Sequence, residues 1–234
     1  LGRCVMGERF LIITTIGFAL GLVLSIGLVC IKRPGHSVRL LGLYTFTISL
    51  GLAEPLVKFF FPQSELFLNT WGAFSFLYGP LLFLYVRTRL SKVNRFNSFD
   101  IVHLIPFFSY LILFFASFNN PNPPANTSII DLILYELLFL QIFVYCFVAF
   151  KIIIKKRNSN NSEVDKIRLA FLLSLVTLSF ILFFGSFCGS HALLIFELDI
   201  KPMFQLSVQL GLSALIFLVA LLNTENMHLE KFSS

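Results

Sequence analysis

Seven long apolar stretches, separated by short polar segments, set the pattern of this chain. They cover residues 10–31, 40–61, 70–86, 99–118, 129–150, 169–194 and 203–222. A helix needs roughly 20 consecutive, mostly apolar residues to cross the hydrocarbon core of a bilayer. The pattern therefore predicts an all-α integral membrane protein, a seven-helix bundle over residues 1–222 with a polar tail at 223–234. The first stretch is too long for a signal-peptide core and no small-residue cleavage site follows it, so it reads as a retained helix. The chain opens on Leu1 with its first methionine at position 6, which is compatible with a fragment or with residues from upstream of the true start.

The third stretch stands at the centre of the pattern. Leu77 to Leu90 is an apolar run broken once by Gly79-Pro80 and closed by Tyr85, Arg87 and Arg89. Proline removes a backbone donor and crowds the preceding turn, so a kink is expected at this dipeptide. Gly79, Pro80, Arg87 and Arg89 are accordingly candidates for a hinge or transmission element. A packing notch, with the freed carbonyl capped by a neighbour, is the alternative. In the first stretch, Gly17 and Gly21 form a GxxxG that lets another helix approach closely, or are glycines of the kind membrane helices tolerate.

The segments between the stretches carry a one-sided charge. Those following the first, third and fifth hold thirteen Lys and Arg residues, against Lys201 alone in those following the second, fourth and sixth. Under the positive-inside rule this predicts an outside N-terminus and a cytoplasmic C-terminus, with Arg3 and Arg9 pulling weakly the other way.

Composition agrees and adds exclusions. Hydrophobic residues make up 57% and charged residues 13%, about half the charged share of a soluble domain. The net charge of +6 sits in the inter-helix segments, so it does not argue for nucleic-acid binding. Thirty phenylalanines suit a lipid-facing surface. Cys4, Cys30, Cys146 and Cys188 lack metal-ligand spacing and read as small apolar residues. No HExxH, phosphate loop or GxSxG elbow is present, so neither an enzyme nor a cofactor is expected.

Ionisable residues within a membrane span are costly and are candidate functional sites. With the predicted orientation, they gather in the outer half of the bundle. Glu54, Lys58, Glu136, His191, Gln205 and Gln209 would line an outward-facing ligand cavity. Plainer explanations exist for most of them: His191 also reads as a solvated loop residue, whereas Glu136, about two turns into its span, is the hardest to explain away. Glu54 and Lys58 are spaced to neutralise each other, the glutamines are spaced for helix–helix hydrogen bonding, and Trp71 for an interfacial anchor. Asp131 reads as interfacial. His103, Tyr44 and Gln141 fall in the inner half.

The run Leu77-Tyr78-Gly79-Pro80-Leu81-Leu82-Phe83-Leu84-Tyr85-Val86-Arg87 resembles a motif in the third membrane helix of bacterial membrane-embedded AraC-type transcriptional regulators. His103-Leu104-Ile105-Pro106-Phe107 is similar to the segment that opens their next helix, and Leu221-Leu222-Asn223 to the exit from their last. The resemblance covers the layout of the whole chain but only these short segments in residues. It implies a sensor or anchor region in the bacterial inner membrane, passing an extracytoplasmic or membrane signal to a cytoplasmic helix-turn-helix domain. Only twelve residues follow Leu222, so such a domain lies outside this chain, and DNA would be a partner only through it. The other implied partners are the bilayer, a small-molecule or membrane signal, and a second copy, for which the Gly17/Gly21 face is one surface. A small transporter, or an anchor that senses nothing, fits the same pattern.

Overall fold

A computed structural model describes residues 2–30, 35–61, 73–91, 98–118, 127–159, 163–196, 207–208 and 210–219. All the regular structure in these residues is helical. In chain order it comprises α1 (Gly2–Cys30), α2 (His36–Phe60), a 3-10 turn (Phe74–Leu77) running into α3 (Tyr78–Leu90), and a 3-10 segment (Ser98–Leu104) running into α4 (Ile105–Phe118). α5 (Thr127–Ser159), α6 (Glu163–Phe196) and the short α7 (Leu210–Val219) follow.

Five helical stretches are long and apolar enough to cross a membrane, as in a multi-pass protein: Leu11–Cys30, His36–Phe60, Phe99–Ala116, Leu132–Asn158 and Lys166–Ala192. They coincide with the expected first, second, fourth, fifth and sixth spans. The third and seventh are represented by the 13 residues of α3 and by Leu210–Val219, whose flanks lie outside the described residues.

Several helix limits differ from the apolar limits. α5 continues through Lys151, Lys155, Lys156 and Arg157 to Ser159, and α6 begins at Glu163, ahead of Lys166 and Arg168. The six cations expected in a loop are therefore on helix. Lysine and arginine are good helix formers, and at the end of α5 they also complement the helix dipole.

α3 is the innermost helix although it is the shortest of the first six. Every residue from Tyr78 to Val86 is buried. Tyr85, expected where the helix leaves the lipid, is enclosed by protein. By contrast, Phe99, Ile101, Val102, Ile105, Phe108, Ile112, Leu113 and Phe115, along the stretch that becomes α4, are exposed.

Specific contacts fix the directions of the helices. Ser25 donates to the Gly42 carbonyl (3.0 Å) while Gly17 faces Leu52, so α1 and α2 are antiparallel. Gly79 abuts Ile142 and Phe83 meets Tyr145, so α3 and α5 run the same way. Glu136 meets His191 and Phe143 meets Phe180, so α5 and α6 are antiparallel. Tyr44 bonds Ser179 (2.9 Å), and Tyr78 lies against both Gly51 and Phe183, so α2 and α6 run the same way. As a result Arg39, Arg87, Arg89, Lys151, Lys155, Lys156, Arg157, Lys166 and Arg168 all stand towards one end of the bundle, which is called the basic end below.

The Gly17/Gly21 face is filled from within the chain. A Cβ at Gly17 would meet Ser213 and Leu52, and one at Gly21 would meet Ser49 and Ile216. The close approach expected of this GxxxG is thus made by α2 and α7. The same face is not open for a second copy.

Candidate functional site

The described candidate residues pair two by two at the end of the bundle opposite the basic one. On α2, Lys58 Nζ lies 2.5 Å from Glu54 Oε1, one helical turn apart. Their side chains are 55% and 45% exposed, so the pair lies on the periphery of α2 rather than within a packed core. Across the α5–α6 interface, His191 Nε2 lies 2.7 Å from Glu136 Oε1. Among the described residues no hydrogen bond joins the two pairs. Gln205, Gln209 and Trp71 lie outside the described residues, and nothing is described of the Asp131 side chain.

The Glu136–His191 contact has a defined proton requirement. His191 Nδ1 is 2.9 Å from the Phe187 carbonyl, which can only accept, so Nδ1 carries a proton. The 2.7 Å contact at Nε2 then needs one more proton, held either by the imidazole or by the carboxyl group. The ring is seated on aromatic side chains, with centroids 4.3 Å from Phe187 and 6.4 Å from Tyr135. Below it Phe139, Phe143, Phe180, Phe184 and Phe187 interlock the two helices, so the site has a stiff apolar floor.

The Gly79-Pro80 dipeptide lies at the join between the 3-10 turn and α3. Pro80 has no N–H to offer the Phe76 carbonyl four residues back. Gln141 of α5 donates to that carbonyl from Nε2 at 3.1 Å. Beside it, a Cβ on Gly79 would stand 3.2 Å from the Cα of Ile142, so absence of a side chain is what lets α3 meet α5 here. The expected kink takes the form of a 3-10 to α transition, and the geometry at the dipeptide is that of a capped notch.

Arg87, the other transmission candidate, is engaged at the basic end. Its guanidinium lies 2.5 Å from Asp100, which is 1% exposed, and 5.7 Å above the Phe83 ring. His103 follows in the same 3-10 segment, with Nδ1 2.9 Å from the Tyr145 hydroxyl and its ring edge-on to Phe83. Arg89 lies on the last turn of α3.

Three ties in this arrangement are not legible in the chain: Arg87–Asp100, Tyr145–His103 and Tyr44–Ser179. A partial signal exists for the first. Asp100 is an acid at the margin of an apolar stretch, a short way after two arginines. Tyrosine and serine inside apolar runs carry no such signal: a serine hydroxyl can turn to its own helix backbone, and a tyrosine hydroxyl says nothing of which element it will reach. Ser179 does so in addition, donating to the Leu175 carbonyl at 2.7 Å.

α5 connects these features along its length. It holds α6 through Glu136, the turn before α3 through Gln141, and the entry to α4 through Tyr145. Comparison with protein-family models, curated proteins and solved structures finds no match to this chain.

Proposed function

We propose that this chain is the membrane sensor or anchor region of a bacterial AraC-type transcriptional regulator. In this reading it is a seven-span bundle in the inner membrane, with its N-terminus outside and residues 223–234 leading towards a cytoplasmic DNA-binding domain. The signal, extracytoplasmic or within the membrane, is received near Glu136 and His191, and DNA is reached only through that further domain. The observation that carries the reading is the position of α5. One continuous helix joins the Glu136–His191 pair near one end to Phe76 at the start of α3 and to His103 towards the basic end. A ligand or proton that binds one arrangement of the pair better than another shifts the bundle between two states, and a rigid helix can carry that shift to the other end. The motif around Gly79-Pro80 supports the family assignment. The gathering of nine basic residues at one end supports the orientation.

The test uses the chain in its natural reading frame together with whatever follows Ser234. Transcript profiles are compared in cells carrying wild type, Glu136→Gln, His191→Ala and Glu54→Gln. The expected result is that the first two substitutions remove condition-dependent changes at a defined set of genes while Glu54→Gln keeps them. Identical profiles in all four strains, or a stop codon directly after Ser234, would sink the reading. Substrate-dependent flux through the purified chain in liposomes would replace it with transport.

A further inference from the structure

One face of α5 changes character from apolar to cationic without interruption. Leu140, Val144, Phe147, Lys151 and Lys155 are all exposed and follow one another at steps of four, three, four and four residues. That spacing puts them on one side of the helix, in a stripe about 22 Å long. The Lys151 ammonium leans back over the Phe147 ring at 4.6 Å, where the apolar part of the stripe meets its charged part. Lysines at a membrane boundary ordinarily extend away from the hydrocarbon. Here the side chain follows the N-terminal lean of helical residues and holds its charge beside an aromatic face. Neither Lys151 nor Lys155 has an acidic partner among the described residues, and Asp100, the buried acid at this end, is engaged by Arg87.

We propose that this stripe is a binding site for one anionic phospholipid. The acyl chain lies along Leu140, Val144 and Phe147, and the headgroup phosphate is held between the ammonium groups of Lys151 and Lys155. Charge complementarity selects the occupant. A zwitterionic lipid brings its own cation to the same place, whereas phosphatidylglycerol does not. The apolar length matches an acyl chain and gives a free phosphate ion nothing to bind. The site rests on membrane insertion of α5 and is independent of any sensing role, so it stands or falls apart from the regulator reading.

The test places the full chain in phosphatidylcholine bilayers and measures the association of spin-labelled phosphatidylglycerol relative to spin-labelled phosphatidylcholine. Wild type is expected to favour the anionic lipid by about fivefold or more, from two lysines close to the headgroup. Lys151→Gln with Lys155→Gln is expected to bring the ratio near one, and Lys151→Arg with Lys155→Arg to retain it. Lys156→Gln with Arg157→Gln alters two cations that lie off the stripe and is expected to leave the ratio unchanged. An equal loss from that control pair would mean diffuse attraction to the basic end and would overturn the site. A ratio unaffected by the Lys151/Lys155 change would do the same. Displacement of the labelled lipid by millimolar inorganic phosphate would assign the lysines to a soluble anion instead.

Discussion

Gln141 supplies the Phe76 carbonyl with the donor that Pro80 lacks, across 3.1 Å between α5 and the turn before α3. The relationship is specific to four-residue helical geometry, because the carbonyl that proline leaves unserved is always the one four positions earlier. Enclosed between packed helices such a group has no water to turn to, and a side chain on a neighbouring helix takes that role.

Gln141→Leu is therefore expected to destabilise the bundle by about 1–3 kcal/mol, since it strands a buried acceptor. Pro80→Ala restores an N–H at position 80 and is expected to recover part of that loss. A double-mutant cycle on unfolding in detergent micelles checks this; strict additivity of the two substitutions would show that the carbonyl is not the link.

Gly79→Ala is expected to cost about 1–3 kcal/mol, because the new methyl group meets the backbone of Ile142 and helices rarely separate without loss elsewhere. Gly27 and Gly185 have open space where a Cβ would project, so alanine at either is expected to be neutral or slightly stabilising. Thermal unfolding of the three variants in one detergent separates close approach from general glycine tolerance.

The Arg87–Asp100 pair predicts an asymmetry. Arg87→Ala takes a cation away from a carboxylate at 1% exposure and is expected to cost roughly 3 kcal/mol. Asp100→Ala leaves a guanidinium that is 34% exposed and able to turn to water, so its cost is expected to be clearly smaller. Equal melting temperatures for the two variants would contradict this account.

Tyr44 and Ser179 form a hydrogen bond between α2 and α6 in which both side chains are fully enclosed. Tyr44→Phe is expected to cost on the order of 1 kcal/mol, and adding Ser179→Ala is expected to cost little more, because the shared bond is already gone. Chemical denaturation of the single and double variants gives the comparison.

Much of the architecture was written in one-dimensional patterns. An apolar run long enough for a bilayer declares a helix, and five of the expected runs are long helices here. The described cations of the basic segments also stand at one end, because alternating hairpins carry every second connection to the same side. The Glu54–Lys58 pair was legible for the same reason, being one helical turn apart on a single element.

Only the tertiary structure decided which helix is central and who partners whom. Hydropathy ranks α3 as a weak span, yet it is enclosed, because glycine, proline and tyrosine make a surface that other helices can approach. Hydropathy cannot distinguish lipid from a neighbouring helix, since both are apolar. The GxxxG at Gly17 and Gly21 announced a close contact without saying that α2 and α7 would make it. Glu136 and His191 stand 55 positions apart, and Gln141 and Phe76 stand 65 apart. Sequence alone determined that each of these groups would need a partner. Which partner it found depended on how α5 lies against α3 and α6, and that follows from three-dimensional packing.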